Sequence, residues 1–120
     1  MINCFCVGIG GFLGAVARYF MGFIPIQDKS GFPWITFCIN AVGAFMIGLI
    51  SAFAEKRGMG NSALILFLKT GVCGGFTTFS TFALESYMLM ENGKAILSVV
   101  YMTASVLICL AAVMLAQKII

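Results

Sequence analysis

The sequence predicts an all-α membrane protein with four transmembrane helices, the third of them broken near its middle. Three observations carry that prediction. The chain of 120 residues is 62% hydrophobic and only 9% charged, with a mean hydropathy of +1.10, so it lacks the residues to build a soluble domain's charged shell. Apolar runs of about twenty residues recur, the length that crosses a hydrocarbon core about 30 Å thick. One of these runs is interrupted by Gly71, Gly74 and Gly75 and by four hydroxyl side chains, Thr77, Thr78, Ser80 and Thr81.

The first span, about residues 3–24, ends before Pro25. No basic residue precedes it, its only cation is Arg18 near the far end, and its early glycines suit packing, so it reads as a retained span rather than a signal peptide. Gly10, Gly14 and Arg18 are spaced i, i+4, i+8, with Gly11 and Ala15 beside them. Small residues at such spacing let membrane helices approach closely. The polar link Gln27-Asp28-Lys29-Ser30-Gly31 leads to Pro33, and the second span, about 34–54, opens on Trp34, a residue suited to the membrane interface. It carries Thr36 and Asn40 one turn apart, then Gly43, Ala44 and Gly48.

Glu55-Lys56-Arg57-Gly58 reads as an aqueous turn. The third span, about 62–90, is 29 residues long, about 43 Å if straight at 1.5 Å per residue, which is more than a membrane needs. Glycine weakens a helix by about 1 kcal/mol relative to alanine, so the glycines are expected to break the span within 71–78. Glu91-Asn92-Gly93-Lys94 forms the next turn, and the fourth span covers about 95–117. No linker is long enough to separate domains, so residues 1–120 form one unit. Five cysteines, Cys4, Cys6, Cys38, Cys73 and Cys109, are scattered singly without histidine or a C-x-x-C pair, and read as small packing residues rather than a zinc site or disulfide framework.

Cations near span ends set membrane orientation. One side carries Lys56, Arg57, Lys69 and Lys118 and the other Arg18, Lys29 and Lys94, four against three. So small a bias allows insertion either way up and an antiparallel, dual-topology homodimer; a single orientation set by other factors is the alternative. Four helices enclose little by themselves, which also points to oligomerisation.

A helix break inside a bilayer is tolerated only where it is buried in protein or lines a polar cavity. Freed carbonyls there suit a cation, and the N-terminal end of the second half-helix suits an anion. The four hydroxyls are candidates to cap that new start. On helical spacing Phe76, Phe79, Phe82 and Ser86 share one face, and Thr78, Thr81 and Glu85 another. Aromatic edges carry partial positive charge, so phenylalanines turned inward can meet a small anion without trapping it; lipid contact or core packing is the plainer reading of such a stripe. Asn40 in the second span and the row Tyr101, Ser105, Cys109 in the fourth add an amide, a phenol and a hydroxyl, all donors suited to an anion. Arg18 and Glu85 are the ionisable groups nearest the membrane interior and are functional candidates on that ground.

The motifs Gly10-Gly11-Phe12-Leu13-Gly14-Ala15-Val16-Ala17-Arg18-Tyr19, Asn40-Ala41-Val42-Gly43 and the stretch GGFTTFSTF from Gly74 to Phe82, followed by Glu85, together resemble the Fluc (CrcB) family of fluoride ion channels over nearly the whole chain. The resemblance implies a dual-topology homodimer in a bacterial-type plasma (inner) membrane, with two antiparallel pores that pass fluoride passively and exclude chloride. By motif position it implies that Phe79 and Phe82 contact fluoride with their ring edges and that Asn40 is an amide donor beside them. Tyr101, Ser105, Thr81 and Glu85 would line the pathway, with Arg18 near a vestibule. Backbone carbonyls of Gly74 and Thr77 from both subunits would hold a structural sodium ion. Cys109 falls where a further hydroxyl is expected, and Phe76 receives no role.

Two competing readings remain at this point. A small multidrug-type proton-coupled exporter also has four spans, but it needs a deep carboxylate, usually in the first span, and this first span has none. A non-transporting assembly subunit would use the same glycine packing. An enzyme is disfavoured, because the chain has no histidine, no nucleotide-binding loop and no nucleophile paired with a base, and nothing suggests a nucleic-acid partner.

Overall fold

A computed structural model of the chain describes residues 1–26 and 29–120; Gln27 and Asp28 of the predicted polar link lie outside the described residues. Four stretches are helical, long and apolar enough to cross a membrane, of 20, 23, 29 and 25 residues. The first is α1 (Ile2–Met21). It closes with tight i to i−3 bonds from Gly22, Phe23 and Ile24 to Tyr19, Phe20 and Met21, the usual way a last turn satisfies its carbonyls. Pro33 starts α2 (Trp34–Lys56), and α2 extends through Glu55 and Lys56, so the turn begins two residues later than the sequence suggests. Gly58 and Gly60 make that turn with φ of 64° and 53°, a region that favours glycine.

The third span is a composite. Ser62 caps α3 (Ala63–Ile65), its hydroxyl accepting from the Ile65 N–H at 3.4 Å. The chain then widens into a π-helix, π1 (Leu66–Cys73), and returns to α4 (Gly74–Phe76). It opens at Thr77 (φ −80°, ψ 160°) and Thr78 (φ −150°, ψ 121°), then restarts as α5 (Phe79–Glu91). The predicted break is present, but it lies at the two threonines. Gly71, Gly74 and Gly75, its expected cause, are all helical.

What those glycines do is visible where α1 crosses π1 and α4, the most extensive packing in the molecule. A Cβ on Gly71 would stand 2.8 Å from Gly10 Cα and 2.9 Å from Val7 O, and one on Gly75 would stand 3.0 Å from Gly11 Cα. On the opposite side, side chains at Gly10 and Gly14 would run into the carbonyls of Phe67 and Val72. Here backbone lies directly on backbone, as expected where lipid removes the hydrophobic drive between helices.

The fourth span, α6 (Ala95–Ile119), packs chiefly along α2 and then against α5. Gly48 admits Ala116, whose side chain is fully buried; a Cβ on Gly48 would come within 2.8 Å of it. Gln117 Nε2 donates to Gly48 O at 3.1 Å, and Lys56 donates to the carbonyl of Ile120, so the ends of α2 and α6 are tied together. The interior core is small and aromatic. Tyr101 is fully buried between Phe32 and Phe82, with ring centroids 5.3 and 5.1 Å away. Phe5, Ile9 and Phe12 on α1 and Ile96, Val106 and Leu110 on α6 face outward, an apolar exterior that water would penalise and lipid accepts.

Candidate functional site

The break leaves peptide groups that a continuous helix would have paired, and side chains from elsewhere satisfy them. Asn40 holds the peptide units on both sides of Thr78: its Oδ1 accepts from Thr78 N–H at 2.9 Å, and its Nδ2 donates to Thr78 O at 3.0 Å. Thr78 Oγ1 caps α5 by accepting from Thr81 N–H at 3.2 Å, and Thr77 Oγ1 donates back to Cys73 O at 2.9 Å. Of the four hydroxyls expected as caps, Thr78 caps the new helix. Thr77 closes the old one, while Ser80 is exposed and Thr81 contributes its backbone.

These diversions release two carbonyls. The N–H that would serve Gly74 O in an α-helix is that of Thr78, which goes to Asn40; the N–H that would serve Thr77 O is that of Thr81, which goes to Thr78 Oγ1. Gly75 O is taken by Arg18, whose Nε donates to it at 3.2 Å. Arg18 therefore turns inward to the third span, not outward to the interface as simple snorkelling would have it.

Glu85 lies between two donors. Thr36 Oγ1 reaches Oε2 at 3.0 Å and the Tyr101 hydroxyl reaches Oε1 at 2.9 Å. Such charge-assisted bonds hold a carboxylate firmly. The carboxylate borders a cavity of about 330 Å³ whose wall includes Thr36, Phe32 and Trp34. Ser86 Oγ donates to Phe82 O at 2.8 Å and Ser98 Oγ to Ser86 O at 2.7 Å, so both serines are internal fasteners.

On the other side of the Phe82–Tyr101 contact is a second cavity, of about 320 Å³, open on one side and bordered by α2, π1, the break, α5 and α6. Asn40, Thr78, Phe79, Phe82, Ser105 and Cys109 line it, and no charged side chain does. Phe79 and Phe82 meet at 5.7 Å between centroids with planes at 48°; Phe79 is 79% exposed and Phe82 only 9%. Ser105 Oγ is buried here and is the one buried side-chain polar atom without a hydrogen-bond partner among the described residues. A buried hydroxyl left unpaired costs about 1–3 kcal/mol, which a ligand or water in the cavity would recover.

Of the expected site residues, Asn40, Phe79, Phe82 and Ser105 come together at this chamber, Glu85 lies at the neighbouring cavity, and Arg18 and Thr81 line neither. Tyr101 does not line the chamber either: its ring is fully buried and its hydroxyl is committed to Glu85. The row Tyr101, Ser105, Cys109 is thus divided, with only the last two facing the chamber. Phe76 does not continue the stripe of Phe79 and Phe82, because the extended residues Thr77 and Thr78 intervene; it sits half-buried near Gly43 and Gly14 instead. Thr78 likewise leaves the face of Thr81 and Glu85, since it precedes the helix that carries them. Cys73, read from sequence as packing, also borders the chamber, and Gly43 makes room for the Thr77 methyl. No one-dimensional spacing signals Cys73, whereas Gly43 belongs to the small-residue run and the Asn40–Gly43 motif of α2.

Comparison with known proteins gives this arrangement its lineage. Residues 5–117 match the family described as CrcB-like protein, Camphor Resistance (CrcB). The fluoride-specific ion channel FluC of Ruminiclostridium cellulolyticum is 46% identical over 118 residues, covering 98% of this chain and 91% of its own length. Its namesakes in Rhizobium etli and Chlorobaculum tepidum are 41% identical over 114 residues and 43% over 105, covering 94% and 88% of this chain and 91% and 83% of theirs. With four apolar spans and a match over nearly its whole length, the chain belongs to the CrcB family of multi-pass bacterial plasma-membrane proteins.

Proposed function

We propose that the chain is a fluoride channel through which cytoplasmic fluoride leaves passively, and that it works as an antiparallel, dual-topology homodimer with two pores. The observation that carries the reading is the uncharged chamber at the break, with a buried, unpartnered Ser105 hydroxyl inside it. Fluoride is small and strongly hydrated, so a path must replace its water with good donors and release it again. Ser105 Oγ–H and the ring edges of Phe79 and Phe82 face that task without a full positive charge that would hold the ion. An amide has two N–H donors; Asn40 spends one on Thr78 O, which leaves the other for the ion. Binding that is favourable but weak enough to leave is what conduction requires.

In this reading Thr36, Glu85 and Tyr101 form the next polar station on the route, and Tyr101 acts by aiming Glu85 rather than by donating to the ion. Arg18 and Thr81 serve by holding the third span. The relatives named as fluoride-specific ion channels support the substrate. A proton-coupled exporter is the weaker alternative, because Glu85, the carboxylate farthest from a span end among the described residues, is committed to two hydroxyl donors and lies outside the chamber. The family is one of channels, so no catalytic residue is assigned.

The carbonyls of Gly74 and Thr77 fit a sodium ion. Both are released from the helical ladder, and hard cations take oxygen ligands. One chain supplies only part of a coordination shell from these two atoms, so the same pair from a second copy would complete it at a two-fold axis. When bound, the ion would pin the two breaks to one another.

The decisive test is efflux from liposomes loaded with fluoride or with chloride. Purified protein should release fluoride to an electrode and leave chloride inside; retention of fluoride would end the proposal. Cross-linking of single-cysteine variants placed at opposite loop ends tests the antiparallel pairing separately.

A further inference from the structure

We propose that the chamber at the break is also a site for a thiophilic metal ion, held by the thiols of Cys73 and Cys109. These two cysteines, from π1 and α6, border the same chamber, whereas Cys6 and Cys38 border none of the cavities described and Cys4 lies exposed on the outer face of α1. The second observation is independent of them. Ser105 Oγ in the same chamber is 94% buried by its residue exposure of 6% and has no partner, which marks the space as one that a polar or ionic occupant enters.

The ligand set selects the class of metal. Among the described residues no group of three or more histidine, cysteine, aspartate or glutamate side chains comes together, so a closed tetrahedral zinc site has no ligands here. Two thiols with no carboxylate or imidazole suit a soft ion that accepts two sulfur ligands, of the class of Hg(II), Ag(I) or Cu(I). With mercuric chloride the balance is simple: two S–H and two Hg–Cl bonds break, two Hg–S bonds form, and two protons and two chlorides leave without oxidation or reduction. Release of the thiol protons is the ordinary accompaniment of metal binding by cysteine. An ion bound there stands beside Phe79, Phe82 and Ser105, so it blocks the chamber. Only this blocking consequence rests on the fluoride reading; the binding itself does not.

The test uses the full chain with Cys4→Ser, Cys6→Ser and Cys38→Ser, treated with mercuric chloride and then measured by intact mass and by fluoride efflux. The expected result is one mercury per chain, with a mass gain of mercury less two hydrogens and no retained chloride. Efflux should fall to background and return after excess dithiol. Adding Cys109→Ser should leave at most a single-thiol adduct that keeps its chloride, and adding Cys73→Ala as well should abolish uptake and block together. No uptake by the starting variant would overturn the proposal, as would two mercury atoms each retaining chloride or undiminished uptake after both thiols are removed. If untreated protein passes no fluoride, the channel reading fails while the mass measurement still decides the metal site.

Discussion

The molecule has a tight side and a hollow side, and they use small residues for opposite purposes. Where α1 crosses π1 and α4, glycines on both partners bring backbone onto backbone and leave no room for a methyl group. Where α2 and α6 face the break, the helices hold apart a chamber of about 320 Å³. The first region is closed by absence of side chains; the second is bordered by a side chain that hydrogen-bonds to backbone, Asn40 to Thr78, while the Thr36–Glu85–Tyr101 set lies beside it at the neighbouring cavity. The lesson is that the same kind of small residue that seals one helix crossing leaves space at another, depending on whether backbone or side chains face it.

The comparison can be broken most severely on the tight side. Gly14→Leu or Gly71→Val places a side chain against backbone that has no rotamer to yield. Overpacking typically costs about 1–3 kcal/mol, and the cost here should lie at or above the top of that range. The measurement is recovery of monodisperse protein by size-exclusion chromatography, with near-complete loss expected; normal recovery would mean that the crossing has slack. Gly8→Ala, on the same helix with no atom near its would-be Cβ, should be recovered normally.

On the hollow side the fold should survive and the flux should not. Phe82→Ile and Phe79→Ile are expected to lower fluoride efflux about tenfold or more, equivalent to about 1.4 kcal/mol on the barrier, with unchanged elution volume. Unchanged flux would return both rings to packing.

A smaller effect is expected from Tyr101→Phe, which removes the donor to Glu85 Oε1 and keeps the ring between Phe32 and Phe82. A hydrogen bond to a charged group contributes about 1.5–3 kcal/mol, part of which Thr36 retains, so efflux should drop several-fold. Thr36→Val should lower it similarly, and the double variant should cost less than the sum, since both bonds serve one carboxylate. The smallest change is Cys109→Ser, which replaces a weak donor by a better one in the chamber wall. Its efflux should match or modestly exceed that of the unaltered chain, by about threefold or less on the scale of one neutral hydrogen bond; a large loss would show that the thiol's bulk shapes the path.

Much of the fold was legible in the sequence, because span length and apolarity are one-dimensional properties. The four helices lie within three residues of their expected bounds at each end. The break was legible as an event but not in its cause. Gly71, Gly74 and Gly75 carry the low helix propensity that invites a break, yet all three are helical, with Gly71 packed on Gly10 and Gly75 on Gly11, and Thr77–Thr78 opens instead. Tertiary packing overrode propensity there. Asn40, Phe79 and Phe82, singled out by motif, and Ser105, singled out by its helical row, meet at one chamber. The hydrogen-bond partners were not legible, since Asn40 and Thr78 are 38 residues apart and Thr36 and Glu85 are 49 apart. The same limit hid the commitment of Tyr101, which in one dimension is simply a donor on a row with Ser105.

The two bonds from Asn40 to the backbone of Thr78 have a mechanical meaning. Two contacts from one planar amide fix orientation as well as distance, and Thr78 is the residue from which α5 departs. Any tilt or slide of α2 is therefore delivered to the root of α5 and swings Phe79 and Phe82 with it. The ring pair takes its bearing from a helix that contributes no ring to the chamber, so α2 acts as the rudder of the ring pair while α1 serves as the keel of the third span.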